Sequence, residues 1–457
     1  MSVHATAPIA SVHVSGDGTG VTGQAGTHLL GRIAGRLGVA EGLSAAMAGT
    51  TQRSSAHDRG TVLTQLAMTI AAGGRCVTDL KTLRDQPRLF GEVASDPTAW
   101  RVVHQVDDDR RGAVAAARQA ACRRLLERAD LDEITLDVDA TLLHLDSEGK
   151  QQAGATFKGG WGFAPMLCFV EPLGLPAGML RPGGATANNA ADQLAVIDQA
   201  ICSLPEVWQA GHHDGDDPDE VERRLVVRAD TAGGTSKVTK GLAARNIVFS
   251  VGMRTSEVAA AIIADIDETL WVPAVNMDGE PRDGAEVAEV PELVPSWAPA
   301  GTRAIVRRER PHPGASLRLW DHNGLRHQVT LTNDPDGDPV ELERHHRAHA
   351  QVENRIKNLK DTGLGRLPFS DYNANRAWIE LVLLAAVLLA SLQTLVEDPE
   401  LSVAEPRRLR YTLLHIAARV VRHSRRTHVR LDRTWPWTAV LVAVHRRLDA
   451  MPAPAAC

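Results

Sequence analysis

Three acidic residues stand in settings that suit phosphoryl-transfer chemistry: Asp139 in ITLDVDATL, Asp230 in RLVVRADTAGG and Glu353 in HRAHAQVENRIKNLK. The first two close short β-branched runs, where a strand presents a carboxylate at its tip. The third lies on a charged amphipathic stretch of helical period. Carboxylate oxygens suit hard Mg²⁺, and two such ions can clamp the attacking and leaving oxygens of a phosphodiester displacement. The set therefore points to a nucleic-acid phosphoryl-transfer enzyme with Mg²⁺ as cofactor and Mn²⁺ able to substitute.

Each candidate has a rival reading. Asp137 lies two residues before Asp139 and shares its strand face, so it competes for the place of first acid. The Asp-Ala-Thr step favours Asp139, with Asp137 as a supporting metal residue; alternatively both face solvent on an edge strand. Asp230 precedes a Gly-containing turn at a strand's C-terminal end, where open α/β sheets place ligands, or it caps a helix. The AGGTSK stretch after it lacks the GxxxxGK[ST] spacing, which rejects nucleotide hydrolysis. On the Glu353 helix, His346, His349, Lys357 and Lys360 recur at three- or four-residue steps on the same face, positioned to grip phosphate. A salt-bridged surface helix is the plainer alternative. His345 and His349 have zinc-ligand spacing, but no third ligand accompanies them.

The elements that must position these residues can be read from periodicity. Residues 1–25 are rich in Gly, Ser, Thr and Ala and read as a mobile arm. Residues 26–130 read as a helical region: Thr27 caps a first helix, 58–72 form a second, Pro97 opens a third and 107–128 form a fourth. From 131 to 260 the pattern becomes three strands, a helix, a strand and a helix, beginning with the alternation of Ile134, Leu136 and Val138. Within 261–338, TRAIVRRER, LRLW and HQVTLTN alternate like strands and form a β-rich insertion. Its Arg307 and Arg308 are candidate DNA contacts, and Trp320 is either core or a base-stacking residue. Residues 339–400 carry the Glu353 helix, and 401–457 read as a basic helical region.

Three patches, LDVDAT, VVRAD and above all VENRIKNLKDTGLGRLPFSDYNANRAWIELVLLA, resemble the DDE transposases of bacterial insertion sequences, most closely the group named after insertion sequence 1380. The resemblance covers roughly residues 25–400. It implies an α/β ribonuclease H-like catalytic core interrupted by a β-rich insertion, flanked by a helical N-terminal region and a helical basic C-terminal region. The N-terminal region would bind the element's ends or cap the core. Asp139, Asp230 and Glu353 would be the catalytic, metal-holding acids. Water would attack the phosphodiester at the transposon end, and the freed 3′-OH would then attack target DNA. Terminal inverted repeats and target DNA are the implied partners, handled by a homodimer or larger assembly. Many relatives carry Tyr, Arg, Glu and Lys at fixed spacing on the third helix. Glu353 and Lys360 match the last two, whereas His346 and His349 replace the first two. The competing class is a non-enzymatic DNA-binding descendant or regulator.

Charge distribution fits a DNA partner better than the net charge of −6 suggests. Residues 265–292 hold nine acids and one base, whereas 406–447 hold eleven arginines and one acid, Asp432. Local basic surface, not the total, sets affinity for phosphate. In that stretch Arg422, Arg425 and Arg426 are candidate DNA contacts, unless the segment pairs with the protein itself. Five scattered cysteines without a CxxC pair fit a reducing bacterial cytoplasm, with the protein associated with the nucleoid. The most apolar run, 381–392, is too short to span a bilayer and reads as a buried helix, so no membrane role follows.

Overall fold

The computed structural model describes residues 14–50, 57–145, 148–156, 159–186, 189–311, 321–424 and 426–452. In chain order its strands are β1 (Val21–Thr22), β2 (Ile134–Ala140), β3 (Leu143–His144), β4 (Gly154–Ala155), β5 (Trp161–Phe163), β6 (Met166–Glu171), β7 (Leu175–Met179), β8 (Leu225–Ala229), β9 (Val248–Met253), β10 (Val272–Val275), β11 (Pro281–Glu289), β12 (Arg303–Glu309), β13 (Arg326–Thr332), β14 (Ala418–His423) and β15 (Arg426–Leu431). The large sheet runs β10-β11-β12-β13-β9-β8-β2-β6-β7. At its centre β2, β8 and β9 are parallel, while β6 and β13 run antiparallel to their central neighbours. The fold is mixed α/β.

The buried centre of this sheet follows from composition. ITLDVDA, LVVRA and MLCFVE bury almost every residue, as expected for strands covered on both faces. One cover is the Tyr372–Thr394 helix, capped by Asp371, whose carboxylate accepts from the Ala374 amide at 2.7 Å. It packs on the Arg59–Ala71 and Asp108–Ala129 helices and on β7. The Arg59–Ala71 helix is capped by Asp58 and stopped at Gly73, whose φ of +102° suits glycine. Buried Arg118 of the Asp108–Ala129 helix donates to Glu380 at 3.2 Å and to the Pro176 carbonyl at 2.9 Å. The N-terminal helices are thus built into the body of the fold. Tyr372–Thr394 is long and apolar enough to cross a membrane, longer than its apolar run alone indicated, but it is mostly buried inside the protein.

Four differences from the sequence reading have local causes. Strands β10 and β11 occupy the acid-rich 265–292 stretch, which carried little apolar alternation because it forms the exposed end of the sheet. The inserted strands do not stand apart, since β13 pairs with β9 and the insertion prolongs the central sheet. LRLW, with Trp320, lies outside the described residues. The arm is tied down over its last residues: Val21 and Thr22 pair with Arg419 and Ala418, and the Gly26 amide donates to the Leu414 carbonyl at 3.1 Å. The basic C-terminal region is not wholly helical. Its ARVVRH and RTHVRL segments alternate with period two and form the β14–β15 hairpin, followed by a helix at Thr438–Ala450.

Candidate active site

The sheet register brings the first two acids together. Val138 lies opposite Ala229 in the parallel β2–β8 pair, so the next residues, Asp139 and Asp230, emerge side by side at the strands' C-terminal ends. Asp139 accepts a hydrogen bond from the Ala140 amide at 2.7 Å, and Asp230 accepts one from the Ala232 amide at 2.8 Å. The turn carrying Asp230 is closely packed. A Cβ on Gly234 would stand 1.9 Å from the Gly252 carbonyl oxygen, so only glycine allows that approach.

Glu353 comes from a helix that packs against β2. Asp338 caps the Pro339–Arg347 helix by accepting from the Val340 amide at 2.9 Å, and the chain continues through a short 3₁₀ turn into the Gln351–Leu359 helix. Val352, Ile356 and Leu359 are buried, which leaves Glu353 facing outwards. Its carboxylate borders two adjoining grooves. One also holds Asp230, Thr231, Arg254, His346 and His349. The other holds Asp139, Thr141, Arg181 and Lys360.

Electrostatics tie the three acids into one site. Burial, then the negative charge of Asp230, push the Asp139 carboxyl up to about 6 against the Ala140 amide and His349, with Glu353 adding a smaller upward push. Among the described residues no cation forms an ion pair with Asp139, Asp230 or Glu353. Neighbouring carboxylates that no described cation pairs have the charge pattern of a cation site.

Asp137 has a different setting. The register places it opposite Arg228, which donates to it through two nitrogens at 2.8 and 2.7 Å. His349 Nδ1 makes a third contact at 2.8 Å. Burial works to raise its pKa, but the His349 and Arg228 hydrogen bonds prevail and hold it below the ordinary carboxylate value. Fully buried and doubly paired, Asp137 has no free face for a metal ion; it anchors Arg228 and His349 beneath the site.

Of the other sequence candidates, Lys360, His346, His349 and Arg307 line the two grooves, and the other described ones lie elsewhere. Lys360 lines the Asp139 groove, its ammonium 3.2 Å from the Leu142 carbonyl. Lys357 is exposed and paired with Glu405 at 2.7 Å, away from both grooves. His346 is held to Ser250 at 3.0 Å, and burial together with the neighbouring His349 lowers its pKa and favours the neutral ring. His349 is 8% exposed and committed to Asp137, and it also lines the Asp230 groove. Arg307 is tied to Glu343 at 2.6 Å and Glu309 at 3.0 Å; Arg308 is tied to Glu286 at 2.7 Å and Glu268 at 2.6 Å, stacked over Trp271. Those arginines hold the insertion together. Arg422 and Arg426 are exposed on the C-terminal hairpin, and Arg425 lies outside the described residues.

A family model described as transposase DDE domain group 1 matches residues 6–453. The chain belongs to this transposase family. Comparison with curated proteins gave no match.

Oxygen-only donors in this transposase fit a hard divalent cation. Among the described residues no group of three His, Cys, Asp or Glu side chains could hold an ion together. That spacing does not exclude magnesium. Mg²⁺ is typically held by one or two carboxylates, with water and substrate phosphate completing its shell. Two residues of the candidate site had little sequence signal. Arg254, just after β9, lies beside Asp230 in the same groove, and only the β8–β9 pairing places it there. Arg228 resembled any strand arginine until the register set it against Asp137.

Proposed function

We propose that this transposase cleaves DNA strands at transposon ends and transfers the freed ends into target DNA. Asp139, Asp230 and Glu353 are the acids that hold divalent magnesium, with manganese as a substitute. The carrying observation is the β2–β8 register, which sets Asp139 beside Asp230 at the grooves bordered by Glu353. When bound, the metal supplies Lewis-acid stabilisation of the oxygens attacking and leaving phosphorus. Lys360 and Arg254 border the same grooves and are suited to orient the DNA backbone. Asp137 keeps Arg228 and His349 in place, fixing the floor on which the acids stand.

The order β7-β6-β2-β8-β9, with β6 alone running against the other four, supports a ribonuclease H-like core spanning 131–260 and 339–400. The long VENRIKNLKDTGLGRLPFS patch supports placement near the insertion sequence 1380 group. Joining two ends implies at least a dimer on DNA. A reporter plasmid carrying the gene's own flanking DNA around a marker tests the reading in bacterial cells. The wild-type chain should excise the marker, and Asp230→Asn should not; excision by Asp230→Asn would overturn the acid assignment.

A further inference from the structure

The β14–β15 hairpin has two unlike faces. Ala418 and Val420 are buried, and Val429 and Leu431 pack partly against the core, so one face of the ribbon is internal. Strand alternation puts Arg419, Val421 and His423 of β14 with Arg426, His428 and Arg430 of β15 on the other face. Five of those six residues are exposed, and Val421 is half-buried. Arg422 lies on the opposite pleat, although it is exposed towards the hairpin tip.

The pairing on the outer face is electrostatically unfavourable in the free protein. Arg419 stands directly opposite Arg430, and His423 opposite Arg426. Like charges opposed across a strand pair destabilise it. No acid relieves them: among the described residues Arg419, Arg426 and Arg430 form no ion pair. Asp432, the only acid in this stretch, is committed to the Thr434 amide at 2.8 Å and hydroxyl at 2.7 Å. Other arginine-rich parts of the chain behave differently. Arg303, Arg307, Arg308, Arg407 and Arg408 are each bound to a carboxylate. The outer ribbon face thus groups exposed arginines that no described carboxylate pairs.

We propose that the outer face of this hairpin, through Arg419, Arg426 and Arg430, docks on the phosphate backbone of duplex DNA. Arg426 and Arg430 are four residues apart on β15, about 13 Å at the strand rise, and Arg419 faces Arg430 across the pair, so the three guanidinium groups spread along the outer face; a two-stranded ribbon also fits a major groove. Bound phosphates would remove the repulsion between Arg419 and Arg430. The contact is independent of sequence and adds a second anchor to the catalytic grooves. It rests on the transposase reading only for the choice of polyanion.

Fluorescence anisotropy of the full chain on a random-sequence duplex across a salt series tests this. Replacing Arg419, Arg426 and Arg430 together with Gln should lower the slope of log affinity against log salt by about 2–3, near 0.9 per lost phosphate contact. Arg430→Glu, which sets a carboxylate opposite Arg419 in place of a second cation, should raise the melting temperature of the free protein while weakening DNA binding. A steep wild-type slope that survives in the triple variant would overturn the ribbon assignment and leave the transposase reading intact. A wild-type chain without salt-dependent DNA affinity would overturn both. Tighter binding of the wild-type chain to an acidic polypeptide than to duplex DNA would overturn the choice of partner.

Discussion

Replacing Asp139 with Asn should stabilise the metal-free protein, and only above the pH at which Asp139 ionises. In the folded chain its carboxyl is raised from the ordinary 3.8 to about 6, first by burial and then by Asp230. An acid with a raised folded pKa binds more protons folded than unfolded between these two values. Stability from this residue is therefore fully present below pH 3.8 and lost as pH rises through about 6. One pKa unit corresponds to about 1.4 kcal/mol, so roughly two units set a ceiling near 3 kcal/mol. Asp139 is only partly buried, and solvent screening reduces the expected gain to about 1–2 kcal/mol. Asn keeps the oxygen that accepts from the Ala140 amide, so little else changes. With an unfolding entropy of about 2 cal/mol/K per residue, that gain raises the melting temperature by roughly 1–2 °C. Differential scanning fluorimetry at pH 4, 6 and 8 should show no difference at the lowest pH and the full difference at the highest. Magnesium should raise the melting temperature of wild type at pH 8 more than that of the variant. A variant less stable than wild type at pH 8, or a pH-independent gain, would refute the argument that Asp139 sits among uncompensated carboxylates.

Three further outcomes follow from the same geometry. Arg228→Met leaves Asp137 buried with one partner fewer and should cost about 3–5 kcal/mol in denaturant unfolding, with Asp137→Asn in the same chain recovering part of the loss. Gly234→Ala drives a Cβ against the Gly252 carbonyl and should displace the turn bearing Asp230, lowering cleavage at least tenfold while the circular dichroism spectrum is retained. Lys360→Ala should reduce cleavage more than Lys357→Ala, because Lys360 borders the Asp139 groove whereas Lys357 is paired with Glu405; equal effects in a gel assay would remove Lys360 from the site.

Much of this architecture was legible in local pattern. ITLDVDA alternates as a strand, Asp58 and Gly73 bracket a helix, and the apolar run 381–392 lies within the long buried one. What escaped depends on pairing across long stretches of chain. Asp137 and Asp139 look alike on one strand, and only Arg228, brought alongside by β8, separates a buried anchor from an open carboxylate. His349 has a surface residue's spacing, but its ring is drawn inwards by Asp137. Arginine-rich ARVVRH and RTHVRL were masked by their charge, since the alternation that makes them strands contains few apolar side chains. In the insertion, Arg307 and Arg308 suggested a DNA surface until the acids of neighbouring strands and helices closed around them.

The central claim is that Asp139, Asp230 and Glu353 act together on a DNA phosphodiester. The most direct measurement is strand cleavage of duplex DNA bearing the gene's native flanking ends, with purified protein and Mg²⁺. It should compare wild type with Asp139→Asn, Asp230→Asn and Glu353→Gln, alongside DNA binding by each. The account predicts cutting at the element boundary by wild type, loss of cutting in each variant, and retained DNA affinity in all three. Cutting by any one of the variants at the wild-type rate, or wild-type protein that binds these ends with Mg²⁺ and leaves them intact, would contradict it.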